Sequence, residues 1–372
     1  MSAHRVFLGA ALFVAASAGA QAPAAAGSVQ MVGYTLERSG IEKRIQQLVV
    51  PVVAAMTFGE RFGVDVATAY ATADVEIRGA GTPRKSTISG LTDTQLRASY
   101  TFGDDFVVLT AGLNLPTGRA TADSSQFVAA GQIANDFLLF PIGSFGSGLG
   151  GTAGIAVARP LGSWNLGAGA SYRHSAAFEP YEYGDGSKAR YEPGDEVRAR
   201  LGVDRSGERG RLALGVSLST FADDAAGGGA NRVAFNTGDR LAVQGSYETA
   251  LAGGRWSLGA WSLMRREGAR ADRSIAPREN VTSAMLGASY DVGPASLEPS
   301  FEMRLFDRAG SPATGTSAAQ PAERGSMAIV GARARWSVGA LQVLPSAGYS
   351  TGSIGDFDLR GLRLGLAIRH TP

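Results

Sequence analysis

Cysteine is absent from the 372 residues, which removes disulfides, thiolate metal sites and a cysteine nucleophile. Histidine occurs only at His4, His174 and His370, too few for a His-rich metal centre, so neither a metal nor another cofactor is expected. Charged residues are 18% of the chain, below the usual quarter, and Lys and Arg form no sustained basic run. A nucleic-acid partner is therefore not expected. Long apolar runs are missing too. The longest after residue 20, Leu48-Val49-Val50-Pro51-Val52-Val53-Ala54-Ala55-Met56, falls well short of the roughly eighteen residues of a membrane helix. Glycine, by contrast, is abundant: 51 residues, about twice the average share. With an ordinary 44% of hydrophobic residues, the chain is too apolar for disorder and not apolar enough for a helical membrane protein.

Residues 1–20 read as an export signal. His4 and Arg5 form a short basic start, Val6 to Ala16 is apolar, and Ala18-Gly19-Ala20 supplies the small-x-small cleavage pattern. Cleavage is expected after Ala20, with residues 21–40 a lead-in or first strand and 41–372 the main body.

That body has period two. Thr94, Leu96, Ala98, Tyr100 and Phe102 alternate with Asp93, Gln95, Arg97, Ser99 and Thr101. Val197, Ala199, Leu201 and Val203 alternate with Glu196, Arg198, Arg200 and Gly202. The same holds for 240–249, 297–306 and for Leu362, Leu364, Leu366 and Ile368 against Arg363, Gly365, Ala367 and Arg369. Only strands keep such faces apart. Sixteen are expected, with fourteen as the alternative if 28–40 is only a lead-in. Short turns near 58–60, 103–105, 160–163, 206–210, 251–254, 292–294 and 338–340 alternate with longer stretches near 78–90, 116–148, 175–194, 221–237, 265–278, 307–324 and 351–357. Aromatics sit beside the short turns: Phe58, Phe62, Phe102, Phe106, Trp164, Trp256 and Trp336. Short connections at one end, long ones at the other and an aromatic girdle are the layout of a closed, antiparallel, up-and-down transmembrane β-barrel of a bacterial outer membrane. A sandwich core would be richer in Ile and Phe than these Ala, Gly, Leu and Val faces. Lipid, and lipopolysaccharide at the long-loop end, are then the expected surroundings.

Ser89-Gly90-Leu91-Thr92-Asp93-Thr94-Gln95-Leu96, the strand end Tyr100-Thr101-Phe102-Gly103 and the segment Gly112-Leu113-Asn114-Leu115-Pro116-Thr117-Gly118 follow one another. Together they resemble a stretch of the outer-membrane channels associated with the meta-cleavage pathway of phenol degradation, distant relatives of the long-chain fatty-acid channels. The likeness spans roughly 41–175 and is only architectural beyond. It implies a non-enzymatic, passive channel for small molecules, hydrophobic or aromatic ones included. The chain departs from outer-membrane barrels at Ile368-Arg369-His370-Thr371-Pro372, where an aromatic residue ordinarily addresses the barrel-assembly machinery.

In such a barrel the polar faces turn inward. Asp93, Arg97, Glu196, Arg198, Arg200, Arg240, Glu248, Glu298, Glu302, Arg304, Arg333, Arg335, Arg363 and Arg369 are then expected to line the lumen, either as a basic ladder for anionic or aromatic-acid solutes or as cross-strand ion pairs that stiffen it. The stretch 116–148 is long, and its centre, Phe137-Leu138-Leu139-Phe140-Pro141-Ile142, is too apolar to remain in water. It is expected to fold inward as a constriction, the alternative being packing on the rim or into lipopolysaccharide. Two other functions stay open: a structural or adhesive barrel with a filled lumen, and a barrel hydrolase using His174 with Ser171, Ser175 or Glu179. Gly146-Ser147-Gly148-Leu149-Gly150-Gly151 matches a dinucleotide-binding glycine pattern but precedes a strand, which argues against that use. Glu182, Asp185, Glu192 and Asp195 could bind a divalent cation but lack EF-hand order, so a solvated loop is expected.

Overall fold

The computed structural model describes residues 24–79, 81–103, 106–208, 210–227, 232–313 and 318–370. The expected export signal, residues 1–20, lies outside them.

Every long alternating segment is a strand hydrogen-bonded to its neighbours in sequence. The wall runs Ala24–Arg38, Ile41–Phe58, Phe62–Arg78, a strand in two halves (Arg84–Leu91 and Thr94–Phe102), Val107–Leu115, Gly150–Leu161, Trp164–Ser175, Glu196–Gly207, Gly210–Phe221, Arg240–Leu251, Gly254–Arg265, Glu279–Val292, Ala295–Arg308, Glu323–Val338, Leu341–Ile354 and Phe357–His370. Both halves of the fourth pair with Phe62–Arg78. The wall therefore has sixteen strands. Ala24–Arg38 pairs antiparallel with Phe357–His370 in a continuous register from Ala25↔His370 to Glu37↔Asp358, which closes the barrel. Residues 24–38 are thus the first strand and not a lead-in. Closure leaves no free edge, the condition for a sheet in hydrocarbon.

Turn chemistry fixes the short-turn end. Ala252 and Gly253 both have positive φ (52° and 75°), the two-residue geometry that suits the right-handed twist of antiparallel strands. Gly293, at φ 61°, starts the turn before Pro294. At the other end the strands run further than their sequence suggests. Arg84–Leu91 falls in a stretch expected to be loop, and Leu341–Ile354 and Phe357–His370 are separated by only two residues.

Outward faces carry the apolar rows. Leu362, Leu364, Leu366 and Ile368 are each 43–47% exposed. Phe58, Phe62, Tyr100, Phe102 and Phe106 lie exposed beside the short turns, with Phe58 and Phe62 rings 5.8 Å apart. The buried core is inside the barrel, toward the long-loop end. It joins the inward residues Tyr34, Ile45, Val49, Val75, Ile88, Phe306, Met327 and Leu359 to Ile133, Phe137, Leu138, Phe140, Ile142 and Phe145 of the long connection. Above the rim, Ala122–Asp123, Phe178–Glu182, Lys188–Glu192, Asp224–Ala226 and Val233–Phe235 form a second, five-stranded sheet. Part of what sequence suggests is solvated loop is therefore built structure.

Candidate functional site: the barrel interior

The connection between Val107–Leu115 and Gly150–Leu161 enters the barrel, and Asp93 holds both its ends. Asp93 Oδ1 accepts the Gly118 N–H at 3.0 Å, while Oδ2 accepts the Ser147 N–H at 2.7 Å and the Asn114 amide at 2.8 Å. A side chain at Gly118 would meet the Phe145 carbonyl oxygen at 2.2 Å and the Asp93 nitrogen at 2.4 Å, so only glycine fits there. Asp93 is 8% exposed. It is thus a buried fastener for this segment rather than an open lumen-lining carboxylate.

Within the segment, Asp123 Oδ1 accepts the N–H groups of Ser125 and Gln126 in a turn just before the helix Phe127–Ile133. The Ser125 hydroxyl and these amides hold the Asp123 carboxyl below its ordinary range. Asn135 Oδ1 then accepts the amides of Phe137 and Leu138. Leu139 takes φ 48°, a left-handed conformation that costs a β-carbon-bearing residue roughly 1 kcal/mol. Four wall residues hold the backbone around this turn. Tyr34 Oη donates to the Leu138 carbonyl at 2.8 Å, and Arg363 reaches the same oxygen at 3.2 Å and Tyr34 Oη at 2.6 Å. Arg304 Nη1 donates to the Phe137 carbonyl at 2.6 Å. The Gln47 amide pairs with both backbone groups of Ile142. Packing completes the seat: Phe140 meets the Tyr34 ring edge-on at 5.4 Å and Phe137 lies 5.5 Å from Phe306. Phe137, Leu138, Phe140 and Ile142 are buried, with Leu139 and Pro141 half-buried. Tyr34 and Gln47 are the partners that periodicity does not single out, because the inward residues on either side of them, Val32, Leu36, Ile45 and Val49, are apolar.

Most expected lumen residues are paired. Arg97 bonds Asp65 at 2.6 Å. Glu196, 4% exposed, takes Arg198 at 2.5 Å and Arg173 at 3.3 Å. Glu302 binds Arg304 at 2.5 Å and the Ser283 hydroxyl at 2.8 Å. Glu298 receives both Arg333 and Arg335. Arg240 is buried with its guanidinium 5.4 Å over the Phe221 ring. Glu248 is exposed on the inner face near the short turns. Arg200 is exposed and makes no ion pair or hydrogen bond among the described residues. Register places Asp65, Arg97, Gly112, Thr152, Arg173 and Glu196 in one row across adjacent strands. That row, with Arg198 and Arg200 on the same strand as Glu196, carries more arginine than acid. The segment 127–145 packs against the first four and the last five strands, so the row starts at the border of that contact and runs away from it.

The other candidates separate. His174 Nδ1 lies 2.7 Å from Asp195 Oδ1, whose Oδ2 accepts the Tyr172 hydroxyl at 2.5 Å. Tyr172 and His174 belong to the outward face, while Ser171 and Ser175 alternate to the inner face, so neither hydroxyl can serve this imidazole. Glu179 bonds Lys188 at 3.7 Å and Glu192 bonds Arg232 at 3.3 Å. Asp185 holds Ser187, and no group of metal-ligating side chains occurs among the described residues. In the upper sheet, burial pushes the Asp224 carboxyl up, against the Gly194 N–H and the Tyr191 hydroxyl, each 2.6 Å away.

No protein-family model and no curated protein matches the chain. Among solved structures it is similar to a loop L8 deletion mutant of OmpT, an outer membrane protein of Vibrio cholerae, at 13% identity over 95% of this chain and 99% of that one (TM-score 0.43). OccK5 (OpdH) of Pseudomonas aeruginosa is 11% identical over 94% and 98%, with a TM-score of 0.44. An outer membrane channel from Pseudomonas putida F1 is 12% identical over 96% and 97%, with a TM-score of 0.41.

Proposed function

We propose that the chain is a bacterial outer-membrane channel for passive passage of small molecules, exported through its N-terminal signal and inserted by the barrel-assembly machinery. The observation that carries this reading is the inner wall. The buried segment 127–145 covers the first four strands and the last five, whereas the strands from Val107–Leu115 to Arg240–Leu251 give no residue to that core and present exposed Arg200 among Gly112, Thr152 and other small residues, with exposed Arg97 on the bordering strand. A wall built only to be filled has no use for an exposed, unpaired arginine facing the axis. The excess of arginine over acid there favours small organic anions, and guanidinium faces suit aromatic carboxylates. This agrees with the aromatic or hydrophobic solutes implied by the resemblance to the phenol-pathway channels. Passage needs no catalytic group, and lipid and lipopolysaccharide surround the barrel.

The test is planar-bilayer recording of the purified, heat-modifiable protein. Discrete conductance steps with an anion-biased reversal potential are expected, and Arg97→Ala with Arg200→Ala should move that potential toward zero. A silent bilayer would favour the second reading, a structural barrel with a filled lumen, which the depth of the 127–145 packing supports.

A further inference from the structure

The outer wall is not uniformly convex. Phe106, Val157, Leu166, Leu201, Val216 and Val243 line an open, almost wholly apolar groove of about 890 Å³ that crosses the strands from Val107–Leu115 to Arg240–Leu251. It lies within the range of about 300–1,000 Å³ common for ligand sites. Under it runs a cross-strand row of inward positions, Ala158, Gly167, Gly202, Gly215 and Gln244, whose three central members are adjacent glycines. The three glycines put no side chain of their own behind the middle of the groove.

The end of the groove nearest the short turns is cationic. Arg159, one of its lining residues, projects from the outward face of its strand directly beside Leu166. Arg205 pairs in register with Trp164 and stacks its guanidinium 5.4 Å over that ring. Both arginines are exposed, and neither makes an ion pair or a hydrogen bond among the described residues. Two unpaired outward cations beside an interfacial tryptophan, at the mouth of an apolar groove, match one amphiphile: an anionic headgroup with an attached acyl chain.

We propose that this groove is a binding site for one anionic phospholipid of the short-turn leaflet, its acyl chain along Leu166, Leu201 and Val216 and its phosphate between Arg159 and Arg205. The site is independent of the lumen and of any solute. Two surface arginines correspond to about a thirtyfold preference for an anionic over a zwitterionic headgroup.

The full-length protein, reconstituted in phosphatidylcholine vesicles doped with phosphatidylglycerol carrying a photoactivatable acyl chain, provides the test. Mass spectrometry of the irradiated protein should find the label concentrated on peptides carrying Leu201, Val216 and Val243, displaced by unlabelled phosphatidylglycerol but not by phosphatidylcholine. Arg159→Ala with Arg205→Ala should abolish that headgroup preference, and Ala168→Trp should exclude the chain. Heat-modifiability shows that each variant has folded, and the wild-type label map decides the matter without them. Label spread evenly around the barrel, or crosslinks between two copies across this groove, would overturn the proposal.

Discussion

Gln47 and Ile142 are bound to each other twice: the Gln47 side-chain amide donates to the Ile142 carbonyl at 2.9 Å, and its oxygen accepts the Ile142 N–H at 3.0 Å. An amide that imitates a neighbouring strand gives the inserted segment the backbone partners it loses by leaving water. Gln47→Leu keeps the volume but orphans both Ile142 groups, at about 1–3 kcal/mol for each. The expected result is faster proteolytic cleavage within 127–145 while the barrel keeps its heat-modifiable mobility on gels.

Removing residues 134–145 takes out Phe137 to Ile142 and the contacts of Tyr34, Gln47, Arg304 and Arg363. Single-channel conductance in a planar bilayer should rise. An unchanged pore would mean that the segment does not bound the passage.

Arg304 is 1% exposed and is neutralised by Glu302. Glu302→Gln leaves a buried cation without its counter-charge and should destabilise by about 3–5 kcal/mol, whereas the double change Glu302→Leu with Arg304→Met should cost much less. Thermal unfolding in detergent, followed by loss of β-sheet signal, separates the two.

Asp195 joins the rim to the outer face of the barrel. The Tyr172 hydroxyl, and after it His174, hold its carboxyl below the usual range. A carboxylate whose folded pKa is depressed contributes stability above its unfolded value, near 4, and loses it as pH falls through the lower folded value. Asp195→Ala should therefore lower the melting temperature at pH 7, and the two proteins should converge only on acidification below about pH 4.

The strand pattern was legible because each segment is long enough for alternation to repeat, and Leu362 to Ile368 shows it in its simplest form. The ends of the strands were harder to read. Arg84–Leu91 looks like loop because it extends beyond the apolar band, where its outward residues no longer need to be greasy. The apolar centre Phe137 to Ile142 announced burial by composition alone. What receives it did not, since Tyr34 and Gln47 lie near one end of the chain and Arg304 and Arg363 near the other, and only closure brings them together. Asp93 and Gly118 illustrate the same limit. Each belongs to a visible motif, yet their contact at 3.0 Å is a fact of three dimensions.

The seam between Ala24–Arg38 and Phe357–His370 sets an order of events. The earliest-made strand must wait, its backbone groups unsatisfied along one side, until the last-made one emerges. A chain stalled anywhere short of that point offers two raw margins to whatever sheet lies nearby, so a guardian that shields them is needed for as long as synthesis and export take.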